Sequence, residues 1–336
     1  MLRFLVVFTL AYSLLLSREK IIMFPSKPTN HQAFLSENAP NPSVRVWGKI
    51  KKCLDAKGFD LIVTETNKIK PETLQDPSVK YYFFHNPFKF RLSLIPKIPK
   101  EKRVLWIWEP AVAMPQSYAP WLLKEFSYVF TFDDTLLNRQ NYVKFYHPHN
   151  IGMIKTVTPF KERRFLCLMN AKKKSKAAKI KWKNYYAERL RVIRFYERCK
   201  PGELHLYGRG WKRRPSARGC VPNKIKTIKN YKFCICYENT NTPGYVSEKI
   251  FDCFQAGVVP VYLGAENVTE TIPENCFIDR RKFEDDEAVY QFMKAMDEKT
   301  YEEYLKNIRE YLASEKGYLY TEEHFINSFV DWVTKS

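Results

Sequence analysis

Three constellations in the chain set reactive side chains beside elements that could aim them. The first is Val104-Leu105-Trp106-Ile107-Trp108-Glu109-Pro110, an apolar run that ends in a carboxylate. A glutamate at the lip of a buried strand loses part of its hydration, which raises its pKa and suits it to general-base work near neutral pH. A strand-end glutamate that only caps a loop carries the same pattern. The second runs from Tyr231 through Tyr237-Glu238-Asn239-Thr240 to Pro243-Gly244-Tyr245-Val246-Ser247-Glu248-Lys249. Here a strand enters a polar turn and then a helix whose first turn holds Tyr245 to Lys249. A helix N-terminus offers unpaired N–H groups and the positive end of a dipole, an anion site in outline. Lys249 opposes that dipole, a placement that makes sense if an anion sits between the two. Glu248 could bond sugar or ribose hydroxyls, and Tyr245 could pack against a ring; a capping carboxylate beside a solvated lysine is the bland alternative. The third is the basic helix from Asn184 to Glu197, in which Arg191 and Arg194 stand three apart beside an apolar side. A planar guanidinium can grip a diphosphate in bidentate fashion, so one arginine could share an anion with Lys249.

Other chemistries lose their support. Neither GxxxxGK[ST] nor GxGxxG occurs, which removes the main sequence argument for mononucleotide kinases and dinucleotide oxidoreductases. The eight cysteines form no CxxC pair, so zinc ribbons and thioredoxin-type chemistry are unsupported. Cys234 and Cys236 alternate within an apolar run and read as small buried hydrophobes on one strand face. No Asp-x-Asp triplet follows a suitable strand; Asp133-Asp134 reads as the start of a turn, so no metal is expected.

These side chains must be held by a folded scaffold, and 336 residues at 45% hydrophobic are enough for two domains. Short apolar runs alternate with amphipathic ones, in one series from about residue 61 to 132 and another from about 165 to 278. Alternation of this kind predicts parallel sheets covered by helices, hence two α/β domains. The boundary falls near residues 147–162, where His147-Pro148-His149-Asn150 and Thr158-Pro159 interrupt the pattern. The helices Tyr301–Leu312 and Glu322–Val333 could cap the second domain or cross back to the first. Residues 4–16 carry no charge and are followed by Arg18, Glu19 and Lys20. That stretch is short for a bilayer span of about 20 residues, and residues 1–20 are set apart as a hydrophobic segment, a candidate membrane anchor.

The formal net charge is +20, and it is concentrated: residues 172–232 hold 21 Lys and Arg against Glu188, Glu197 and Glu203, a balance of +18. One basic segment suggests a face or cleft that meets a localised anion rather than a general polyanion coat.

The block Tyr231 to Asp279 resembles the donor-binding signature of the α-1,3/4-fucosyltransferases, glycosyltransferase family 10, and more closely the bacterial members. It contains Tyr237-Glu238-Asn239, Tyr245-Val246-Ser247-Glu248-Lys249, Ala256-Gly257-Val258-Val259-Pro260-Val261-Tyr262-Leu263-Gly264 and Pro273-Glu274-Asn275-Cys276-Phe277-Ile278-Asp279. The resemblance implies a GT-B fold, two Rossmann-like domains facing across a cleft. An acceptor-binding domain would span residues 21–155, and a GDP-sugar domain with the C-terminal helices residues 156–336. It implies an enzyme, an inverting fucosyltransferase moving fucose from GDP-fucose to a glycan hydroxyl, with no obligatory metal or cofactor. Glu109 matches the family's general base. Tyr245, Glu248 and Lys249 match its Tyr-x-Thr-Glu-Lys donor motif, with Ser247 in place of the threonine; Tyr237, Glu238 and Asn239 belong to the same donor block. Arg189 matches the diphosphate-binding arginine, and Arg194 is the alternative. The expected partners are the nucleotide sugar, a glycan or glycolipid acceptor and a membrane surface, without nucleic acid. The expected setting is the cytoplasmic face of a bacterial inner membrane rather than a Golgi-type membrane. The rivals are transfer from another GDP-sugar and a non-catalytic protein that binds anionic lipid or nucleic acid through the basic segment.

Overall fold

The structure is a computed structural model that describes residues 18–25, 34–38, 42–64, 69–87, 89–175 and 183–336. The uncharged stretch 4–16 lies outside them.

Two six-stranded parallel sheets form the molecule. The first contains β1 (Glu19–Phe24), β2 (Phe59–Val63), β3 (Val79–His85), β4 (Arg103–Ile107), β5 (Tyr128–Thr131) and β6 (Tyr142–Lys144), in the order β2-β1-β3-β4-β5-β6. The second contains β7 (Arg164–Met169), β8 (Leu204–Tyr207), β9 (Ala217–Gly219), β10 (Tyr231–Tyr237), β11 (Val259–Leu263) and β12 (Ile278–Asp279), in the order β12-β11-β10-β7-β8-β9. Interior strands of parallel sheets are covered on both faces and read as continuous hydrophobic runs. That is why β4 and β11, buried at every position, were legible. β1 was not: Glu19 and Lys20, which sequence placed in the separate segment 1–20, open a strand that pairs with both β2 and β3. The flanking charges obscured an apolar run of only four residues, Ile21 to Phe24, all buried. The short edge strands β6 and β9 carried too little pattern to be found.

Helix α1 (Pro42–Ala56) lays Val46, Trp47, Ile50 and Leu54 on the first sheet, an amphipathic stripe at helical spacing. Helices α2 (Tyr186–Cys199), α3 (Lys224–Ile228), α4 (Glu248–Ala256), α5 (Asp286–Ala295) and α6 (Glu298–Leu312) follow in the chain and lie between or after strands of the second sheet; the sequence pattern predicts all of them but the short α3. The last helix, α7 (Glu322–Lys335), crosses back. Its Phe325, Ile326, Phe329, Val330 and Val333 are buried in the first core. Phe329 meets the rings of Phe83, Trp106 and Trp47 at 5.2, 5.3 and 5.8 Å. Glu322 at the start of α7 pairs with Arg45 and Lys49 of α1 at 2.5 and 2.6 Å. The choice left open by sequence is thus decided by aromatic packing against α1 and the first sheet.

Candidate active site

The carboxyl ends of the strands from the two sheets converge on a cleft of about 320 Å3. Ligands bind at such strand ends in open α/β sheets because the loops there are free to carry polar groups. Glu109 enters it from the first sheet, two residues beyond the end of β4, and is half-buried. Its backbone is held by Asn86, which ends β3 in the left-handed region at φ 43° and is 2% exposed. Asn86 N donates to Trp106 O at 2.9 Å, and its Oδ1 accepts from Trp108 N at 3.0 Å and Glu109 N at 3.4 Å. Asparagine suits this position because its short amide tolerates positive φ and bonds locally. On the other side of the turn, His147 Nε2 donates to Trp108 O at 3.0 Å, and the two rings meet edge to face at 5.0 Å.

From the second sheet, β10 delivers Glu238 and Asn239, and the turn after them delivers Tyr245 and the start of α4. Helix α4 begins at Glu248 with Ser247 as its cap residue, later than the first turn expected from sequence. Ser247 does not cap with its side chain. Its N and Oγ both donate to Glu238, each at 2.8 Å, and Lys249 Nζ donates to Glu238 at 2.7 Å and to Ser247 Oγ at 2.7 Å. The anion that rationalises a lysine at a helix N-terminus is therefore, in the first instance, the protein's own fully buried Glu238. Burial works against the charge on Lys249, but Glu238 and then Glu248 outweigh it and raise its pKa. Such a paired, hydrogen-bonded buried charge is preorganised rather than free to swing.

Arg189 reaches the same floor from α2 and is 3% exposed. Its Nε and Nη2 donate to Tyr237 O at 3.0 and 2.7 Å, and Nη2 also reaches Asn239 Oδ1 at 2.9 Å. Asn239 Nδ2 in turn donates to Tyr245 OH at 3.2 Å. Tyr245 packs on Phe132 of the first domain at 5.0 Å and on His147 at 5.9 Å, so it ties the domains together beside the cleft. Glu248 is about half exposed, with side-chain exposure 52%, and lies 3.9 Å from both Lys249 and Lys224. Lys249 above all, and then Lys224, hold its carboxyl well below the usual range despite the desolvation it feels.

Of the residues singled out from sequence, Glu109, Arg189, Asn239, Tyr245, Glu248 and Lys249 line the cleft together. Glu238 and Ser247 stand behind Lys249. Tyr237 contributes a carbonyl, its ring lying in the core. Arg194 is on the exposed side of α2 and does not line the cleft; helical phase separates it from Arg189, five positions earlier. Sequence reasoning missed Asn86, His147 and Lys224. Asn86 stands just past the apolar run Tyr81 to Phe84, the same signal that exposed Glu109, whereas His147 follows the short edge strand β6, which has no such run. Lys224 was one basic residue among many. Asp133 caps a turn by accepting from Thr135 N at 3.0 Å, and Asp134 pairs with Lys144. Among the described residues, Cys234, Cys236 and Cys253 bring their thiols within 4.8 Å of one another in the core. All eight cysteines are free thiols.

Residues 169–331 match the family model described as glycosyltransferase family 10 (fucosyltransferase), C-terminal part. The chain is 32% identical over 116 residues to the Mus musculus 4-galactosyl-N-acetylglucosaminide 3-alpha-L-fucosyltransferase 9, across 34% of this chain and 31% of that protein. The chain thus matches about a third of the length of this curated relative. Among solved structures, an α1,3-fucosyltransferase crystallised with GDP superposes with a TM-score of 0.57 at 14% identity, covering 95% of this chain and 92% of that one. A glycosyltransferase from Rickettsia africae superposes at 0.61 with 11% identity, covering 95% and 98%. Both share the two-domain GT-B architecture seen here.

Proposed function

Through residues 169–331 the chain belongs to glycosyltransferase family 10, and from that premise we propose that it is an inverting fucosyltransferase that uses GDP-fucose and a glycan hydroxyl. The observation that carries the reading is the meeting, in one cleft, of a carboxylate from the first domain with the cationic floor and helix N-terminus of the second.

The roles follow from the charges that develop. As the bond between the fucosyl carbon and the diphosphate breaks, its electron pair leaves with GDP. Lys249, Arg189 and the N–H groups at the start of α4 answer that negative charge without reorganising, because Glu238, Tyr237 O and Asn239 already hold them in place. The acceptor oxygen forms the new bond and its proton passes to Glu109, whose backbone Asn86 anchors. Glu248, half exposed beside Lys224, faces the sugar hydroxyls, and Tyr245 closes the pocket with its ring. The first sheet then serves the acceptor and the second the donor. The surplus of the basic segment beyond Arg189 is assigned to a membrane surface or glycolipid that presents the acceptor. No helix among the described residues is long and apolar enough to cross a membrane.

The test is a thermal-shift and turnover screen of the purified protein against GDP-fucose, GDP-mannose and UDP-sugars. Stabilisation and turnover with GDP-fucose are expected. Preference for another GDP-sugar would move the donor assignment, and stabilisation by none would favour a non-catalytic binding protein.

A further inference from the structure

The two domains meet beside the Pro243-Gly244 turn, and the junction there is not solid. A cavity of about 110 Å3 borders it, lined by Asp134, Lys144 and Tyr146 of the first domain and by Gly244, Asn267 and Thr271 of the second. We propose that Asn267 is a positioning residue for the transferase: its amide oxygen holds the donor turn, its amide nitrogen holds the first domain, and together they set Glu109 against the nucleotide site. The inference rests on the transferase reading above and deepens it.

Asn267 matches its partners on both sides. Its Oδ1 accepts from Gly244 N at 2.8 Å, and its Nδ2 donates to Asp134 Oδ2 and to Glu270 Oε2, each at 2.9 Å. A backbone N–H can only donate and an ionised carboxylate can only accept, so the amide orientation is forced, and an aspartate of the same size could serve only one side. The two arms of the bridge bear on different parts of the site. Gly244 holds a left-handed conformation at φ 79°, and Tyr245, Ser247 and the start of α4 follow it directly, so the oxygen arm fixes the donor turn. Asp134 stands three residues beyond β5, which pairs with β4, the strand that leads to Glu109, so the nitrogen arm fixes where the base lies. Asp134 is itself held by Lys144 of β6, whose Nζ also donates to Phe132 O at 2.7 Å. The loop that carries Asn267 is braced from the nucleotide side. Glu266 N donates to Asn241 O at 3.2 Å, Arg281 Nη1 donates to Ala265 O at 3.2 Å and to Glu266 O at 3.0 Å, and a Cβ on Gly264 would stand 2.7 Å from Glu238 Cγ. The loop therefore moves with the donor floor. Two further ties cross the same junction, a bond from Asp134 N to Pro243 O at 3.3 Å and the ring contact of Tyr245 with Phe132. Neither involves a charge, whereas hydrogen bonds to a carboxylate are about twice as strong as neutral ones.

The test compares the full-length protein with Asn267→Asp, Asn267→Ala and the double variant Asn267→Asp/Asp134→Asn. Three quantities are measured: GDP affinity by calorimetry, kcat for hydrolysis of GDP-fucose by water, and Tm. Hydrolysis asks Glu109 to take a proton from water, so its kcat reads the register of the two domains without an acceptor glycan. Asn267→Asp keeps the bond from Gly244 N but sets a second carboxylate against Asp134. Its GDP affinity should stay within about twofold of wild type while kcat falls by about tenfold. Asn267→Ala loses both arms, so kcat should fall as far and GDP should also bind about fivefold more weakly, the worth of a single hydrogen bond. In the double variant the amide and the carboxylate have changed places and a donor again faces an acceptor, so kcat should return to within about threefold of wild type, a recovery that only a direct contact gives. A lower Tm in the single variants with kcat and GDP affinity unchanged would mean a purely structural role and overturns the proposal. So does a kcat as low in the double variant as in Asn267→Asp, and so does a loss of GDP affinity in Asn267→Asp equal to that in Asn267→Ala. A wild type that neither binds GDP nor hydrolyses GDP-fucose fails before any variant is compared, and overturns the transferase reading and this inference together.

Discussion

Glu109 and His147 sit on the two sides of one backbone turn, and their side chains are asked to do opposite things with protons. Glu109 should take a proton during transfer, so Glu109→Gln, which keeps the size and most of the packing, is expected to lower kcat by about a hundredfold or more. GDP affinity, read by calorimetry, should change by less than about twofold; activity that survives would assign the base elsewhere. His147 is kept neutral by burial, with its pKa lowered to about 4 from 6.5. The unfolded chain takes up that proton near 6.5 and the folded one does not, so stability is lost as pH falls from about 6.5 towards 4. His149, lowered to about 3, acts in the same sense. Asp252 acts against them: burial pushes its carboxyl up to about 6, so its contribution declines as pH rises from 3.8 towards 6. His147→Gln removes one of the two destabilising protonations. The Tm gap between wild type and variant should therefore narrow by several degrees between about pH 7 and about pH 5. A gap constant over that range would show that His147 does not couple protonation to folding.

Helix α4 owes its position to the turn before it as much as to its own sequence. Gly244 adopts φ +79°, and a Cβ there would stand 2.2 Å from Phe132 O in the first domain. The turn is knitted to that domain by Asp134 N, which donates to Pro243 O at 3.3 Å, while Gly244 N donates to Asn267 Oδ1 at 2.8 Å. Gly244→Ala combines left-handed strain of about 1–2 kcal/mol with a backbone clash that nothing flexible can relieve. The expected outcome is a Tm lower by several degrees and weaker GDP binding, because Tyr245 and the start of α4 follow directly. Unaltered GDP affinity with a lowered Tm would confine the turn to a structural role. At this scale the sequence was most readable where an element is both long and apolar. β10 and β11 were visible; β1, shortened by charged ends, was not.

Across the whole molecule, α7 is the strap that returns from the second domain to complete the first. Its amphipathic stripe says only that it must pack somewhere; the aromatic cluster of Phe83, Trp47 and Trp106 supplies the place. Phe329→Ala should cost about 3–5 kcal/mol, read as a lower midpoint in denaturant. Tryptophan fluorescence is a suitable signal because Trp47 and Trp106 border the site. A loss under about 1 kcal/mol would mean that the first domain holds together without this contact. The +18 segment resolves at the same scale. Arg189 is sunk in the cleft floor, Lys224 is shared between two cavities, and Lys172, Lys173, Lys174 and Arg194 are exposed. One sequence feature thus covers a buried structural cation, cleft charges and a surface.

Local chemistry was written in the chain. A carboxylate at the end of an apolar strand and a lysine misplaced at a helix start are one-dimensional patterns, because strand periodicity and helix polarity follow from the backbone alone. The donor block could be read for the same reason, since its residues lie within one strand, turn and helix. Tertiary structure decided what depends on distance between remote segments. It made Glu238 the partner of Lys249, chose Arg189 over Arg194 for the cleft, and used Asn86 to hold Glu109. It also buried one ring nitrogen each of His147 and His149 away from any partner and sent α7 back to the first core. Each of these turns on which groups lose water together, a property of packing that no local pattern encodes.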